Sequence, residues 1–368
     1  MNYFLPFIAT FFVCLGLTGI LWRIGHKYRL LSEPRKRDVH RAPVPRIGGI
    51  GIFLSFLLIS LIVFLFFKPG LSFGGKDFLG FDSHLLGIWL GGLFITLTMF
   101  LDDLWGLKVW QKLLAQIITT IIVIGSGVGI DFISNPLGGQ INLNSVYIPL
   151  FSYAGVTYHF SLWSDLLTII WLVGMMNIMN FVDGVDGLAG GQSVIASLTI
   201  FILSITLAIS QPATAMVAII LCGAVLGFLV WNFPPAKIFM GDSGSMFLGF
   251  ILGILALISG GKLATVFLVL GFPIVDGLIV TWSRIRRKKN PLTTPDKTHL
   301  HHRFLAAGFS PRQAVLALYV ISAVFGLVAL SSTSLGKFIS LILLFFSIIV
   351  VMVLLERLRR NKIKNQNI

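Results

Sequence analysis

Long apolar runs separated by short polar segments dominate the chain. Many runs approach twenty residues, about the length that a helix needs to cross a bilayer core of about 30 Å. Their spacing predicts about eleven membrane-spanning helices. The predicted limits are 3–22, 47–67, 85–101, 112–130, 162–181, 192–209, 214–231, 244–260, 263–282, 313–331 and 337–355. We therefore expect an all-α polytopic membrane protein.

Composition agrees with this pattern and excludes a soluble globular class. Of 368 residues, 56% are hydrophobic and 11% are charged, and the mean hydropathy is +0.93. Cys14 and Cys222 both lie in apolar runs, which favours packing over a disulfide or a thiolate metal site. We expect one transmembrane domain over 1–355 and a basic tail over 356–368. Basic residues follow the first run directly, so it is predicted to be a retained span.

The basic residues predict the orientation. When alternate loops are assigned to opposite sides, one side holds all of the 28 Lys and Arg residues except Lys68, Lys76, Lys262 and Lys337. This bias predicts that the rich side is cytoplasmic, with the N-terminus outside and the C-terminus inside. The net charge of +14 is then mainly a topology signal, with attraction to anionic lipids second. No nucleic-acid partner is needed to explain it.

One stretch turns from apolar to acidic and glycine-rich within a few residues. Its polar residues recur at every third position, namely Asn177, Asn180, Asp183 and Asp186. Steps of three residues drift by about 60° around an α-helix, so the four side chains cannot share one face. If they serve one site, the helix must tighten to 3₁₀ geometry or end near Gly184 and Gly187.

Further acids fall at predicted helix ends on the same side. Asp102 and Asp103 are adjacent at the end of the third span, where the helix dipole disfavours negative charge. A divalent cation, a nearby base such as Lys112 or a shared proton would offset the repulsion, and a solvated pair is the alternative. Asp242 precedes the eighth span and suits either helix capping or the same site. Asp276 lies within the ninth span, where it either makes a structural hydrogen bond or lines the site.

Two basic loops lie on this side. In the first, Arg41 or Arg46 is suited to a phosphorylated substrate, with a lipid-facing anchor as the alternative. The last large loop carries five basic residues in 284–289 and three histidines. A zinc site is the less favoured interpretation of the histidines, because no cysteine or helical His-x-x-x-His pair accompanies them. This loop is better suited to binding phosphate.

Together these residues predict magnesium-dependent phosphate chemistry. Carboxylates and amides from separate helix ends suit Mg²⁺ held by a few ligands plus pyrophosphate oxygens. No GxxxxGK[ST] run is present in the sequence, so ATP hydrolysis is not indicated. A nucleotide-linked donor in the cytoplasm and a lipid acceptor in the bilayer would place this chemistry at a membrane edge.

Five motifs resemble those of one enzyme family. They are PRIGG at 45–49, LDDLWGLK at 101–108, NIMNFVDGVDGLAGG at 177–191, NFPPAKIFMGDSGS at 232–245 and HLHHR at 299–303. The chain resembles the polyprenyl-phosphate N-acetylhexosamine-1-phosphate transferases of glycosyltransferase family 4. These enzymes start O-antigen and wall-teichoic-acid synthesis and are related to MraY. The histidine motif and the PRIGG loop look closer to the N-acetylglucosamine-1-phosphate branch than to MraY.

The resemblance implies transfer of a HexNAc-1-phosphate from a UDP-sugar to undecaprenyl phosphate, releasing UMP, at the cytoplasmic face of the bacterial plasma membrane. It implies Mg²⁺, with Mn²⁺ as a substitute, and a homodimer as one assembly. Asn180 and Asp242 match metal ligands. The implied catalytic candidates are Asp102 and Asp103, at acceptor-phosphate positions, and Asp183 and Asp186, at donor positions. The implied substrate-binding residues are Arg46, Lys112 near the donor pyrophosphate, Phe239 near the nucleobase, His299, His301, His302 and Arg303.

Several alternatives stay open at this point. The lipid phosphate attacks the β-phosphorus of the donor directly, or an aspartate forms a covalent phosphosugar intermediate. An ion-coupled transporter would use the same acids, although such sites usually lie near the midplane of repeated halves. A lipid-binding scaffold is a third hypothesis, and it predicts no dependence on Mg²⁺. Asn177 is the member of the acidic stretch least expected to serve the site.

Overall fold

The chain folds into a bundle of helices with short β-hairpins between some of them. The computed structural model describes residues 2–32, 43–66, 71–75, 77–78, 80–135, 138–153, 156–206, 209–258, 263–288 and 299–366. The helices within these ranges are α1 (Phe4–Lys27), α2 (Gly48–Phe66), α3 (Ser83–Trp105), α4 (Val109–Gly125), α5 (Leu162–Val182), α6 (Leu188–Ile205), α7 (Pro212–Asn232), α8 (Gly241–Ile258), α9 (Leu263–Val269), α10 (Gly271–Arg286), α11 (Leu300–Ala307), α12 (Pro311–Ser331) and α13 (Ser334–Gln366).

In the described part of the chain, the strands pair as four antiparallel hairpins. They are β1 (Leu31–Ser32) with β2 (Val44–Pro45), β3 (Asp77–Phe78) with β4 (Phe81–Asp82), β5 (Phe132–Ser134) with β6 (Gln140–Asn142), and β7 (Tyr147–Tyr153) with β8 (Val156–Ser161). The last two hairpins lie between α4 and α5. Five basic residues on which the sequence analysis relied lie outside the described residues, namely Arg41, Lys68, Lys76, Lys262 and Lys289.

The all-α polytopic fold is confirmed. Within the described residues, nine helices are long and apolar enough to cross a membrane, and α4 is a shorter apolar helix. The α4 helix begins at Val109, three residues before the predicted limit. It begins there because the Gln111 side chain accepts a hydrogen bond from the backbone N–H of Lys108 at 2.8 Å.

The predicted single span over 263–282 is wrong, because two helices occupy it. The first, α9, ends at Val269, and α10 begins at Gly271 after the non-helical residue Leu270. Pro273 then falls in the first turn of α10, where a missing backbone N–H costs least. The hydrophobic run continued through this break, so the apolar pattern alone did not mark it.

The centre of the bundle is α8, which is buried along nearly all of its length. It packs against α2, α3 and α5. Two glycines allow the approach of α2: a Cβ on Gly49 would lie 2.2 Å from the backbone nitrogen of Gly244. Because α8 is central, the first turn of this helix meets the ends of several neighbours.

The PRIGG segment lies beside the chain that leads into α8. The backbone N–H of Phe239 donates to the Pro45 carbonyl at 2.8 Å, and the N–H groups of Gly48 and Gly49 donate to the carbonyls of Phe239 and Met240. These backbone bonds hold the segment that carries Arg46 against the start of α8.

Candidate functional site

Three aspartates from two helices meet at one end of the bundle. Asp102 and Asp103 lie in the last turn of α3, and Asp242 lies in the first turn of α8. One carboxylate oxygen from each lies within 4.8 Å of the others. Carboxylates crowded in this way repel one another unless cations share the site. The arrangement is therefore suited to a metal ion or to basic side chains.

Two basic side chains neutralise much of this charge. Arg46 pairs with Asp242 at 2.5 Å through Nη2 and with Asp103 at 3.3 Å through Nε. The Lys112 ammonium lies 2.5 Å from Asp102 Oδ2 and 2.8 Å from Asp242 Oδ2. Both cations are partly exposed, whereas the three aspartates are almost buried. The cations are thus placed where an incoming phosphate could contact them.

Asp103 also caps the first turn of α8. Its Oδ1 accepts the backbone N–H of Asp242 at 2.9 Å, and its Oδ2 accepts that of Ser243 at 3.1 Å. Gly241 makes room for this carboxylate: its φ is +74°, and a Cβ there would lie 2.5 Å from Asp103 Oδ2. Capping alone is therefore the wrong interpretation of Asp242, because the cap comes from α3 and the Asp242 carboxylate pairs with cations.

The acidic stretch leaves the helix where its glycines allow. The α5 helix ends at Val182, Asp183 follows as its C-cap, and α6 begins at Leu188 after Gly187, whose φ is +76°. The expected helix break is confirmed. Burial raises the pKa of the Asp183 carboxyl well above its ordinary value, Arg46 opposes the rise, and the negative charges of Asp242 and Asp103 add to it.

Asp186 joins this turn to the loop between α7 and α8. Its Oδ2 accepts the backbone N–H of Ala236 at 2.9 Å. Asn232, at the end of α7, accepts the N–H of Gly187 at 2.9 Å and donates to the Ile238 carbonyl at 2.9 Å. The two glycine- and proline-rich loops are therefore one hydrogen-bonded unit, and Asp186 contributes to its structure.

The two asparagines of α5 have different surroundings. Asn177 donates to Gln116 on α4 at 2.9 Å, so it links two helices. Asn180 donates through Nδ2 to the hydroxyl of Ser245 at 3.0 Å, and Ser245 lies three residues after Asp242 on α8. Asn180 is thus held against the helix that carries the acidic cluster. Its role as a metal ligand stays a prediction.

The histidines lie on and before α11, a short helix that the hydrophobic pattern did not predict. The rings of His299 and His301 are stacked with centroids 5.6 Å apart, and His302 follows at 4.3 Å from His301. Gly184 packs against His301, since a Cβ on it would lie 3.0 Å from Nε2. Burial lowers the pKa of His301 well below its ordinary value, and the electrostatic repulsion that protonated His302 or His299 would exert lowers it further. The zinc hypothesis gains no support, because the three aspartates are the one metal-compatible group among the described residues.

The other predicted binding residues surround these loops. Phe239 is half-buried beside the PRIGG segment. Arg303 lies in the first turn of α11, where its N–H donates to the His299 carbonyl. The substrate-binding roles of Phe239 and Arg303 stay predictions.

Sequence inspection missed two residues of α12 that hold the loops from outside. The Tyr319 hydroxyl donates to the carbonyl of Gly187 at 2.5 Å, and Arg312 Nε donates to the carbonyl of Pro234 at 2.6 Å. Tyr319 also fills the space beside Gly191, where a Cβ would lie 1.9 Å from its ring. The adjacent glycines Gly190 and Gly191 indicate from the sequence that another group packs closely against this helix. They do not indicate which helix supplies that group.

Comparison with known proteins places these elements in one family. The model of glycosyl transferase family 4 matches residues 85–260, from α3 to the end of α8. The chain is 33% identical, over 95% of its length and 90% of the relative, to a Bacillus subtilis protein named a probable undecaprenyl-phosphate N-acetylglucosaminyl 1-phosphate transferase. It is 32% identical, over 85% of its length and 77% of the relative, to a decaprenyl-phosphate N-acetylglucosaminephosphotransferase of Mycolicibacterium smegmatis.

A phospho-N-acetylmuramoyl-pentapeptide-transferase of Staphylococcus aureus is 28% identical over 89% of this chain and 96% of its own length. The resemblance noted from the motifs is therefore confirmed. None of these matches supports the transporter alternative.

Proposed function

The chain belongs to glycosyl transferase family 4, and on that basis we propose that it transfers N-acetylglucosamine-1-phosphate from UDP-N-acetylglucosamine to undecaprenyl phosphate, releasing UMP. The observation that carries the proposal is the group of Asp102, Asp103 and Asp242 with Arg46 and Lys112 between them at one end of an apolar bundle. Names of relatives that act on undecaprenyl and decaprenyl phosphate support the same acceptor class.

The three-aspartate group fits Mg²⁺. Hard oxygen ligands within 4.8 Å of one another suit a cation that takes one or two carboxylates and completes its shell with water and phosphate oxygens. We propose Asp242 as the ligand from this group and Asn180, which is held against the same helix through Ser245, as the second ligand, with Mn²⁺ as a substitute for Mg²⁺. When bound, the cation would neutralise negative charge on the donor pyrophosphate.

The basic residues would take over phosphate contacts when substrate binds. Lys112 now bridges Asp102 and Asp242, and Arg46 bridges Asp103 and Asp242. A donor pyrophosphate beside Lys112 would exchange carboxylate partners for phosphate oxygens, while the planar guanidinium of Arg46 can bind a phosphate through two N–H groups.

The aspartates have distinct environments and hence distinct roles. Asp103 is committed to two backbone N–H groups, so it orients Asp242. Asp102 accepts one backbone N–H, from Leu107 at 2.7 Å, and pairs with Lys112, which leaves it better placed to hold the acceptor phosphate or take its proton. Asp183 and Asp186 would form the donor side with Phe239, His299, His301, His302 and Arg303.

The location follows from the chemistry and the charge bias. A polyprenyl acceptor is confined to a membrane, and a nucleotide donor is in the cytoplasm. The positive-inside bias puts the acidic cluster on the cytoplasmic side. We therefore propose a bacterial plasma-membrane enzyme whose residues 1–355 form one catalytic domain with a basic tail over 356–368, and a homodimer as its assembly.

One assay tests the function. Purified protein in detergent or nanodiscs is incubated with undecaprenyl phosphate, Mg²⁺ and several UDP-HexNAc donors, and UMP is measured. UMP release that needs the acceptor and disappears with EDTA is the expected result. Absence of UMP with every donor would overturn the proposal. Asp242→Asn should lower the rate by about 10²–10³-fold, while Asp131→Asn, in an exposed acid paired with Asn144 at the opposite end, serves as the matched control.

The order of steps needs a separate experiment. We favour direct attack of the acceptor phosphate on the β-phosphorus of the donor, because Asp102 and Asp103 are both paired and Asp103 is held as a helix cap. Rapid-quench labelling with donor alone distinguishes the mechanisms. A phosphosugar bound to protein in the absence of acceptor would contradict direct attack and support a covalent aspartyl intermediate.

A further inference from the structure

Asp276 is a buried acid of α10 whose role the motifs do not explain. It is 4% exposed, and an ionised carboxylate in such a place needs strong partners. Its Oδ2 lies 2.8 Å from Nδ1 of His299, and its Oδ1 accepts the backbone N–H of Leu300 at 2.8 Å. Both oxygens therefore contact the start of α11, 23 and 24 residues further along the chain.

The first of these contacts determines which ring nitrogen of His299 carries hydrogen. A carboxylate accepts hydrogen bonds and donates none. Nδ1 must then donate, so a neutral His299 has its hydrogen on Nδ1 and a lone pair on Nε2. The same arrangement orients histidines in many sites where the second nitrogen does the chemistry.

The second contact seats the helix that carries the other histidines. Asp276 satisfies one of the backbone N–H groups that the start of α11 leaves without an intrahelical partner. His299 packs on the ring of Phe181, at 5.9 Å, and stacks on His301. Since His301 lies against Gly184, Asp276 sets the position of the histidines relative to the Asp183–Gly187 turn.

We propose that Asp276 is a positioning residue that holds His299 in the Nδ1–H tautomer, so that Nε2 accepts a hydrogen bond from a hydroxyl or amide N–H of the sugar nucleotide. A lone pair suits those groups and repels phosphate oxygens, which are themselves acceptors. The assignment of the ligand rests on the proposed transferase function. The tautomer does not, because it follows from the contact between Asp276 and His299.

Asp276→Asn tests the tautomer directly. The asparagine oxygen can still cap Leu300, but its NH₂ group donates, so His299 should move its hydrogen to Nε2. Protein labelled with ¹⁵N-histidine in lipid bilayers is compared by NMR, with the His299 signals assigned from a His299→Gln sample. We expect hydrogen on Nδ1 in the unsubstituted protein and on Nε2 in the variant. Hydrogen on Nε2 in the unsubstituted protein would overturn the proposal, even if the variant fails to fold.

Kinetics test whether Asp276 acts through His299. Asp276→Asn should lower kcat/KM for the sugar nucleotide by about 10- to 100-fold, as expected for a lost or reversed hydrogen bond, and should cause no further loss in the His299→Gln background. An equal additional loss in that background would contradict the positioning role. Asp82→Asn, in an acid that caps α3, is the matched control and should leave both readouts unchanged.

The two proposals can fail separately. If no polyprenyl phosphate supports UMP release, the transferase function is wrong, while the NMR result still decides the tautomer. If transfer occurs and the His299 tautomer is the same in both proteins, the function stands and the role of Asp276 is wrong.

Discussion

The carboxylate of Asp103 accepts the backbone N–H of Asp242 at 2.9 Å, across 139 residues of sequence. Through this bond the end of α3 caps the start of α8, and the Asp242 carboxylate is left to pair with Arg46 and Lys112. Asp103, which the sequence presents as one of two adjacent acids, therefore also orients Asp242 on another helix.

Substitution of Gly241 should break this relationship. An alanine there faces a positive φ, which costs about 1–2 kcal/mol, and its Cβ would also lie 2.5 Å from Asp103 Oδ2. We expect a fall in thermal stability beyond the backbone cost and at least a tenfold loss of transfer. Gly139→Ala is the control, because Gly139 has a φ of +80° with open space around it. Equal effects of the two substitutions would show that the Asp103 contact is unimportant.

Replacing Lys112 should make the protein depend more on a divalent cation. In Lys112→Met, Asp102 and Asp242 lose the ammonium that they share at 2.5 and 2.8 Å. Arg46 still pairs with Asp242, but the repulsion between the two carboxylates is less compensated than before. We expect a lower melting temperature without Mg²⁺, a larger rise on adding Mg²⁺ than in the unsubstituted protein, and transfer at least about tenfold slower. Lys237→Met, which alters an exposed lysine at the same end of the bundle, is the control and should respond to Mg²⁺ as the unsubstituted protein does. An unchanged Mg²⁺ response in Lys112→Met would contradict a role of Lys112 at the proposed metal site.

His301 should make stability depend on pH. Burial lowers its pKa well below the ordinary value of 6.5. Below that pH, His301 therefore binds a proton in the unfolded chain but stays neutral in the folded chain. Its contribution is fully present above pH 6.5 and is lost as the pH falls below it, by up to about 1.4 kcal/mol per pH unit.

Melting curves between pH 5 and 8 test this expectation. The His301→Asn variant should show a shallower acid loss than the unsubstituted protein, whereas His26→Asn, in an exposed residue of α1, should not. Parallel pH profiles for His301→Asn and the unsubstituted protein would contradict the expectation.

Tyr319 of α12 should stabilise the loops of the candidate site. Tyr319→Phe keeps the ring beside Gly191 and removes the hydroxyl that donates to the Gly187 carbonyl. The Gly187 carbonyl keeps the backbone N–H of Gly191 as a partner at 2.9 Å, so losing the hydroxyl should cost about 0.5–1.5 kcal/mol. It should also lower the transfer rate, since the same turn carries Asp183 and Asp186. Melting temperature and initial rate measure the two effects, with Tyr28→Phe, in a tyrosine that is 64% exposed, as the control. Full stability and rate in Tyr319→Phe would refute the support role.

Much of the architecture could be predicted because it depends on residues that are close together in the sequence. Runs of apolar residues place helices such as α2 and α8 wherever the chain must satisfy its backbone in lipid. The helix break after Asn180 followed from a three-residue spacing that an α-helix cannot align. The break at Leu270 was missed, because an apolar run is equally compatible with one helix or two.

The sequence by itself determined the all-α membrane fold and the family, and it predicted which residues carry the chemistry and that the acids among them lie near helix ends. Only the tertiary structure decided how they are paired: Asp103 with the start of α8, Asp276 with His299, and Tyr319 with Gly187. The physical reason is the distance along the sequence over which each interaction acts. Hydropathy and capping act over a few neighbouring residues, whereas a buried carboxylate takes whichever donor helix packing brings within about 3 Å, and that depends on the whole bundle.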